Sequence, residues 1–174
     1  KGCHVSDDQF LPLGPKPRLL NCNLQLEGIE PYQQLEKIVQ MILVENLPAI
    51  ESIPITANWE DPHFTLEDRA RAYLDVNCGH CHHAKGPAMT SGLFLDYTEK
   101  DLRKLGVYKK PVAAGRGSGN LKYNIVPGKP DESILIYRME STDSGIMMPE
   151  SGRKLVHKEG VELIRDWVQS MESN

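Results

Sequence analysis

The chain has 174 residues, of which 40% are apolar and 25% charged, and its net charge is −4; this is the composition of one folded domain, or one and a half, and speaks against wholesale disorder. Mean hydropathy is −0.42 and no run approaches the roughly 18 apolar residues of a membrane span, while the negative balance argues against a general nucleic-acid binder. Four cysteines are too few for a disulfide-built scaffold, but enough for one decisive motif.

The first thirty residues read as loop, because Pro12, Gly14, Pro15 and Pro17 interrupt any regular pattern. Pro31 suits the first turn of a helix. Leu35, Ile38, Val39, Ile42 and Leu43 then recur at helical spacing and predict a helix ending near Asn46, before Pro48. Residues 49–64 carry Pro54 and Pro62 and read as an extended linker. Thr65 and Asp68 form a capping box for a helix that runs into Asn77 and Cys78. Thr98 to Leu105 is a short helix candidate, residues 111–120 a flexible glycine-rich connection without a phosphate-loop ending, and 127–130 a turn. Asp131 is expected to cap a helix through Arg138, and a last helix is expected from about His157 to Met171, with Val161, Leu163, Ile164, Trp167, Val168 and Met171 as its apolar side. No strong strand pairs are visible. The fold class is mostly α: residues 62–174 as a helical domain, residues 1–61 as an N-terminal extension or partial domain of loop plus one helix.

Charge is segregated along the chain. Residues 1–80 hold 6 basic and 12 acidic side chains, residues 81–130 hold 9 and 3, and residues 131–174 hold 5 and 9. The basic middle is either a docking face or a solvated loop, since surface charge steers encounters only when it gathers on one side.

Cys78-Gly79-His80-Cys81-His82 has the C-x-x-C-H spacing of c-type haem attachment. Two thiols three residues apart on one turn can add to the two vinyl groups along one porphyrin edge, which places His82 under the iron. A thioredoxin-like dithiol would need a βαβ context, and a zinc site would need two further ligands nearby, for which only His80 and His83 offer themselves. The soft thioether of methionine is the common sixth ligand. Of the six methionines, Met139 and Met171 fall in expected helices, Met89 is a tight return from His82, and Met147 and Met148 lie in a loop before Pro149. Met148, directly before the proline, is preferred, with Met147 as the alternative. The carbonyl of Pro87 is the candidate acceptor for the other nitrogen of His82. Trp167, Tyr73, Leu74, Leu93, Phe94, Leu95, Ile134 and Ile136 are candidates to line the pocket or to serve as ordinary core.

Asn77 to His82, then Val126-Pro-Gly-Lys-Pro-Asp131, then Met148-Pro149 and a closing helix with Trp167 resemble class I c-type cytochromes. With Arg69-Ala-Arg-Ala-Tyr-Leu74, and Leu13-Gly-Pro-Lys16 followed by Leu20-Asn21, the chain more narrowly resembles a bacterial family of secreted monohaem cytochromes. Its members are found alone or beside pyrroloquinoline-quinone-type sugar dehydrogenase domains. The resemblance implies a cytochrome c-like helical domain around one covalent haem c, His82 and Met148 as axial ligands, and single-electron shuttling between extracytoplasmic redox partners. A sugar dehydrogenase or a terminal acceptor would be such a partner.

Lys1-Gly2-Cys3-His4 departs from that pattern. It matches the last four residues of another C-x-x-C-H, which would make a second, truncated haem site. The reading preferred here is a disulfide between Cys3 and Cys22, worth roughly 3 kcal/mol, which would pin a proline-rich terminus. Filled axial positions argue for an electron carrier and against an enzyme. Two other classes stay open: a five-coordinate haem enzyme or sensor, and a subunit or fragment of a larger, dihaem assembly. Covalent haem and a disulfide both place the chain in the periplasm or outside the cell. No signal peptide is recognisable, so an exported protein would be present as a mature form or a fragment.

Overall fold

The computed structural model describes residues 5–6, 9–10, 16–41, 43–44, 46–150 and 154–172. Over these the chain is mostly helical. It forms α1 (Pro17–Leu20), α2 (Gln34–Gln40), α3 (Leu66–Leu74), α4 (Ile134–Glu140) and α5 (Lys158–Ser170). Two short antiparallel ribbons accompany them: β1 (Val5–Ser6) with β2 (Gln9–Phe10), and β3 (Asn23–Leu24) with β4 (Tyr32–Gln33).

α3 starts where the capping box places it. Thr65 Oγ1 accepts from the Asp68 amide at 3.1 Å and donates to the Asp68 carboxylate at 2.7 Å, which satisfies one of the amides a helix start leaves unpaired. The helix then widens into a single π turn over Asp75–Gly79, so it delivers the chain into Cys78 without a break. α5 buries Val161, Leu163, Ile164, Trp167 and Val168, a stripe at three- and four-residue spacing. It packs against α3 and α4. The shared core is Ala70, Tyr73 and Leu74 from α3, Leu135, Ile136 and Met139 from α4, the α5 stripe, and Leu95 and Ile125 from the intervening loops. Each fully buried Leu or Ile contributes roughly 1.5–3 kcal/mol. Of the expected pocket residues, Trp167, Tyr73, Leu74, Leu95 and Ile136 belong to this core, Leu93 packs against it, and Ile134 is buried.

Several expectations are corrected. The N-terminal stretch contains α1, with Pro17 at its first position, and the β3–β4 ribbon. Pro31 does not open a helix: Tyr32 and Gln33 pair with β3, and Gln33 caps α2 by accepting from the Glu36 amide. α2 ends at Gln40, short of Asn46. Residues 98–105 form turns rather than a helix. Asp131 does not cap α4. Its carboxylate pairs with Arg165, and Ser133 stands at the cap position, its hydroxyl taken up by the Val126 amide and the Lys129 carbonyl.

Residues 1–61 meet the helical core at Trp59, which packs against it and edge-on to Tyr73, and at one buried carboxylate. Asp75, 1% exposed, accepts from Arg18 Nη2, from Lys16 Nζ at 3.5 Å and from the Tyr97 amide at 3.0 Å. The Thr56 amide donates to the Arg18 carbonyl, and Asn21 Nδ2 to the Ile53 carbonyl. A buried carboxylate stripped of its cation is costly. Arg18→Met is therefore expected to cost about 2 kcal/mol, less than a fully isolated charge because Lys16 and the Tyr97 amide remain. A urea unfolding curve with an unchanged midpoint would contradict that.

Candidate functional site

The C-x-x-C-H residues lie at the exit of α3. The Cys78 carbonyl accepts from the Cys81 amide at 3.0 Å and from the His82 amide at 2.9 Å, so one turn gathers both sulfurs and the imidazole. Neither cysteine is in a disulfide, both are half-buried, and Cys78 packs against the core. Burial, with a smaller contribution from the Cys81 charge, pushes the Cys78 thiol up to about 12. It is protonated at neutral pH in the absence of a ligand.

His82 is 8% exposed. Its Nδ1 lies 3.2 Å from the Leu93 carbonyl and 3.5 Å from Ser91 Oγ. A carbonyl can only accept, so Nδ1 carries the hydrogen and Nε2 keeps its lone pair. Burial pulls the pKa of the ring down, the bond to Leu93 opposes this, the charges of Arg138 and His80 lower it further, and Glu150 works against them. The ring is thus neutral and its second nitrogen oriented, which is what a metal-bound imidazole requires.

The acceptor for Nδ1 is Leu93, not Pro87. Pro87 is an exposed turn residue. Beyond it the chain turns through Met89–Ser91 and the left-handed Gly92, then returns with the Leu95 amide bonded to the His82 carbonyl at 2.7 Å. That return brings the Leu93 carbonyl to the ring.

Met147 and Met148 are both half-buried in the loop after α4. The Met147 amide donates to Asp143 and the Met148 amide to the Arg138 carbonyl, at 2.7 and 3.1 Å. Arg138 and Glu150 bracket this loop, and the charges of both reach His82. The loop and the imidazole therefore share one electrostatic neighbourhood. Met139 and Met171 pack against or within the core, as expected of helix methionines, and Met89 is exposed. His83 Nδ1 is occupied by the Lys85 amide at 3.3 Å. Among the described residues, no group of three or more His, Cys, Asp and Glu side chains is arranged to hold a metal ion.

Cys22 is a free thiol whose Sγ lies 3.4 Å from Gln34 Oε1, and burial raises its pKa. No disulfide is present among the described residues. Cys3 and His4, and with them the expected bridge and the second haem motif, lie outside them.

Sequence reasoning placed Leu93 among the pocket candidates but not as the acceptor for His82, which acts through a backbone carbonyl, and Lys109 among the basic residues but not as the donor to the Ser91 carbonyl at 2.7 Å. It also missed Arg138 and Glu150, which carry no motif. No protein-family model, curated protein sequence or solved structure matches the chain.

Proposed function

We propose that the chain is a c-type cytochrome domain that carries single electrons. In this reading Cys78 and Cys81 attach one haem covalently, His82 gives its Nε2 to the iron, and Met148 is the sixth ligand. The observation that carries the reading is the buried, neutral His82, with Nδ1 tied to Leu93 and Nε2 left without a partner among the described residues, one turn away from Cys78 and Cys81. The haem supplies a one-electron Fe(III)/Fe(II) couple.

The chain's own residues account for the rest. The Cys78 carbonyl fixes the spacing of the two sulfurs and the imidazole. The Leu93 carbonyl holds the ring orientation and raises its basicity. Leu95, whose amide bonds to the His82 carbonyl, and the buried core against which Cys78 packs would keep water from a bound haem and so favour its less charged state. Met148 is kept over Met147 because it directly precedes Pro149; both are half-buried in the same loop. Two protein ligands leave no open coordination position, so the role is electron transfer rather than catalysis. The proposed attachment chemistry and the resemblance support a location outside the bacterial cytoplasm, with electrons exchanged with other redox proteins.

Anaerobic titration of the purified protein tests this. The expected result is one reversible electron per chain and no uptake of CO by the reduced form. Rapid CO binding would instead support a five-coordinate haem enzyme or sensor.

A further inference from the structure

An open depression of about 300 Å³ is lined by Gly92, Asp101, Arg103, Lys104, Lys109 and Lys110. Four of the nine basic residues of the middle segment, Arg103, Lys104, Lys109 and Lys110, gather here. Its two nearest carboxylates are occupied in shaping the turn. Asp101 accepts from the amides of Arg103 and Lys104, and Glu99 from those of Lys100 and Asp101, with Lys104 Nζ 3.8 Å from Glu99. Arg103 and Lys110 are exposed and have no ion-pair partner among the described residues. Lys109 is different. Its chain lies across Gly92, where an added Cβ would meet Lys109 Cε at 3.4 Å, and its Nζ donates to the carbonyls of Ser91 and Lys110 at 2.7 and 3.3 Å. Burial and the Arg103 charge both lower its pKa, so this cation gains from an anion nearby.

The floor of the depression is also the outer side of the turn that holds His82. Ser91 Oγ accepts from the Leu93 amide, and the Leu93 carbonyl meets His82 Nδ1. A negative group seated on Lys109 would thus lie a few bonded steps from the imidazole.

We propose that this depression is the docking site for an acidic protein partner, taking two or more of its surface carboxylates between Arg103, Lys109 and Lys110, and that occupancy is felt at His82 through Lys109 and the Ser91–Leu93 turn. The inference rests on the electron-transfer reading for the partner's role, although the charge complementarity stands without it. A shallow, multiply cationic site steers encounter and orients the partner rather than binding it tightly. Its strength falls as salt shortens the Debye length.

Amide NMR of the isotope-labelled protein titrated with hexaglutamate at low ionic strength provides the test. Shifts are expected at residues 91–93 and 101–110 and at the His82 ring. The Arg103→Glu/Lys110→Glu variant should weaken the affinity about fivefold or more while leaving the rest of the spectrum unchanged, since neither side chain bonds to the fold. Equal shifts around Lys85, Lys122 and Lys129, undiminished affinity in the variant, or the same response to inorganic phosphate at matched charge would each overturn the proposal. The experiment does not need haem to be present. A spectrum without a haem absorption band sinks the electron-transfer reading, whereas delocalised shifts sink only the docking site.

Discussion

Met148→Ala is expected to lower the reduction potential by on the order of 0.1 V or more, because axial ligands set haem potentials over a range of about 0.8 V and the thioether favours Fe(II). The same change should leave the reduced protein able to bind CO, which the parent should not do. Met147→Ala is the matched control. It lies in the same loop at similar burial, and with Met148 as the ligand it should shift the potential little. If the two variants exchange behaviours, the sixth ligand is Met147. If neither changes potential or CO binding, the loop does not ligate the iron.

Gly160→Ala is expected to destabilise the fold by about 3 kcal/mol, despite the gain in helix propensity of about 1 kcal/mol. A Cβ at Gly160 would lie 2.2 Å from Tyr73 Oη and 2.3 Å from its Cζ. The Tyr73 ring has nowhere to retreat. It is 9% exposed, stacks on His157 with centroids 5.7 Å apart, meets Trp59 edge-on, and its hydroxyl lies 3.0 Å from His157 Nδ1. The methyl group must therefore push α5 away from α3, and α3 is the element that delivers Cys78. The midpoint of urea unfolding measures the loss. Tyr73→Leu in the same chain should recover part of it, because the ring is the obstacle. A wild-type midpoint for Gly160→Ala would show that the two helices are not in the contact described.

What the sequence made legible is what has a local physical signature. The Thr65–Asp68 box marks the start of α3, the stripe from Val161 to Val168 marks α5, and C-x-x-C-H fixes three residues that one turn brings together. The failures have physical causes too. α1 has four residues, too few to show a period. Thr98–Leu105 has helix-compatible composition, yet Asp96, Glu99 and Asp101 bond to nearby amides, which offers the backbone an alternative to the helix ladder. Asp131 would cap α4 on local grounds, but Arg165 from α5 claims it. The partner of His82 was misplaced at Pro87 because the acceptor is a main-chain oxygen, and any residue at position 93 supplies one. The grouping of Arg103, Lys109 and Lys110 around Gly92 depends on how the turns close, which a count of charges along the chain does not reveal.

The central claim is covalent haem at Cys78 and Cys81, and the most direct test is the mass of the intact protein under denaturing conditions after alkylation of free thiols. The protein should be produced in a bacterium able to export it and attach haem. The account predicts the polypeptide mass plus one haem, with Cys78 and Cys81 not alkylated. A haem-free mass with Cys78 and Cys81 both alkylated would contradict it.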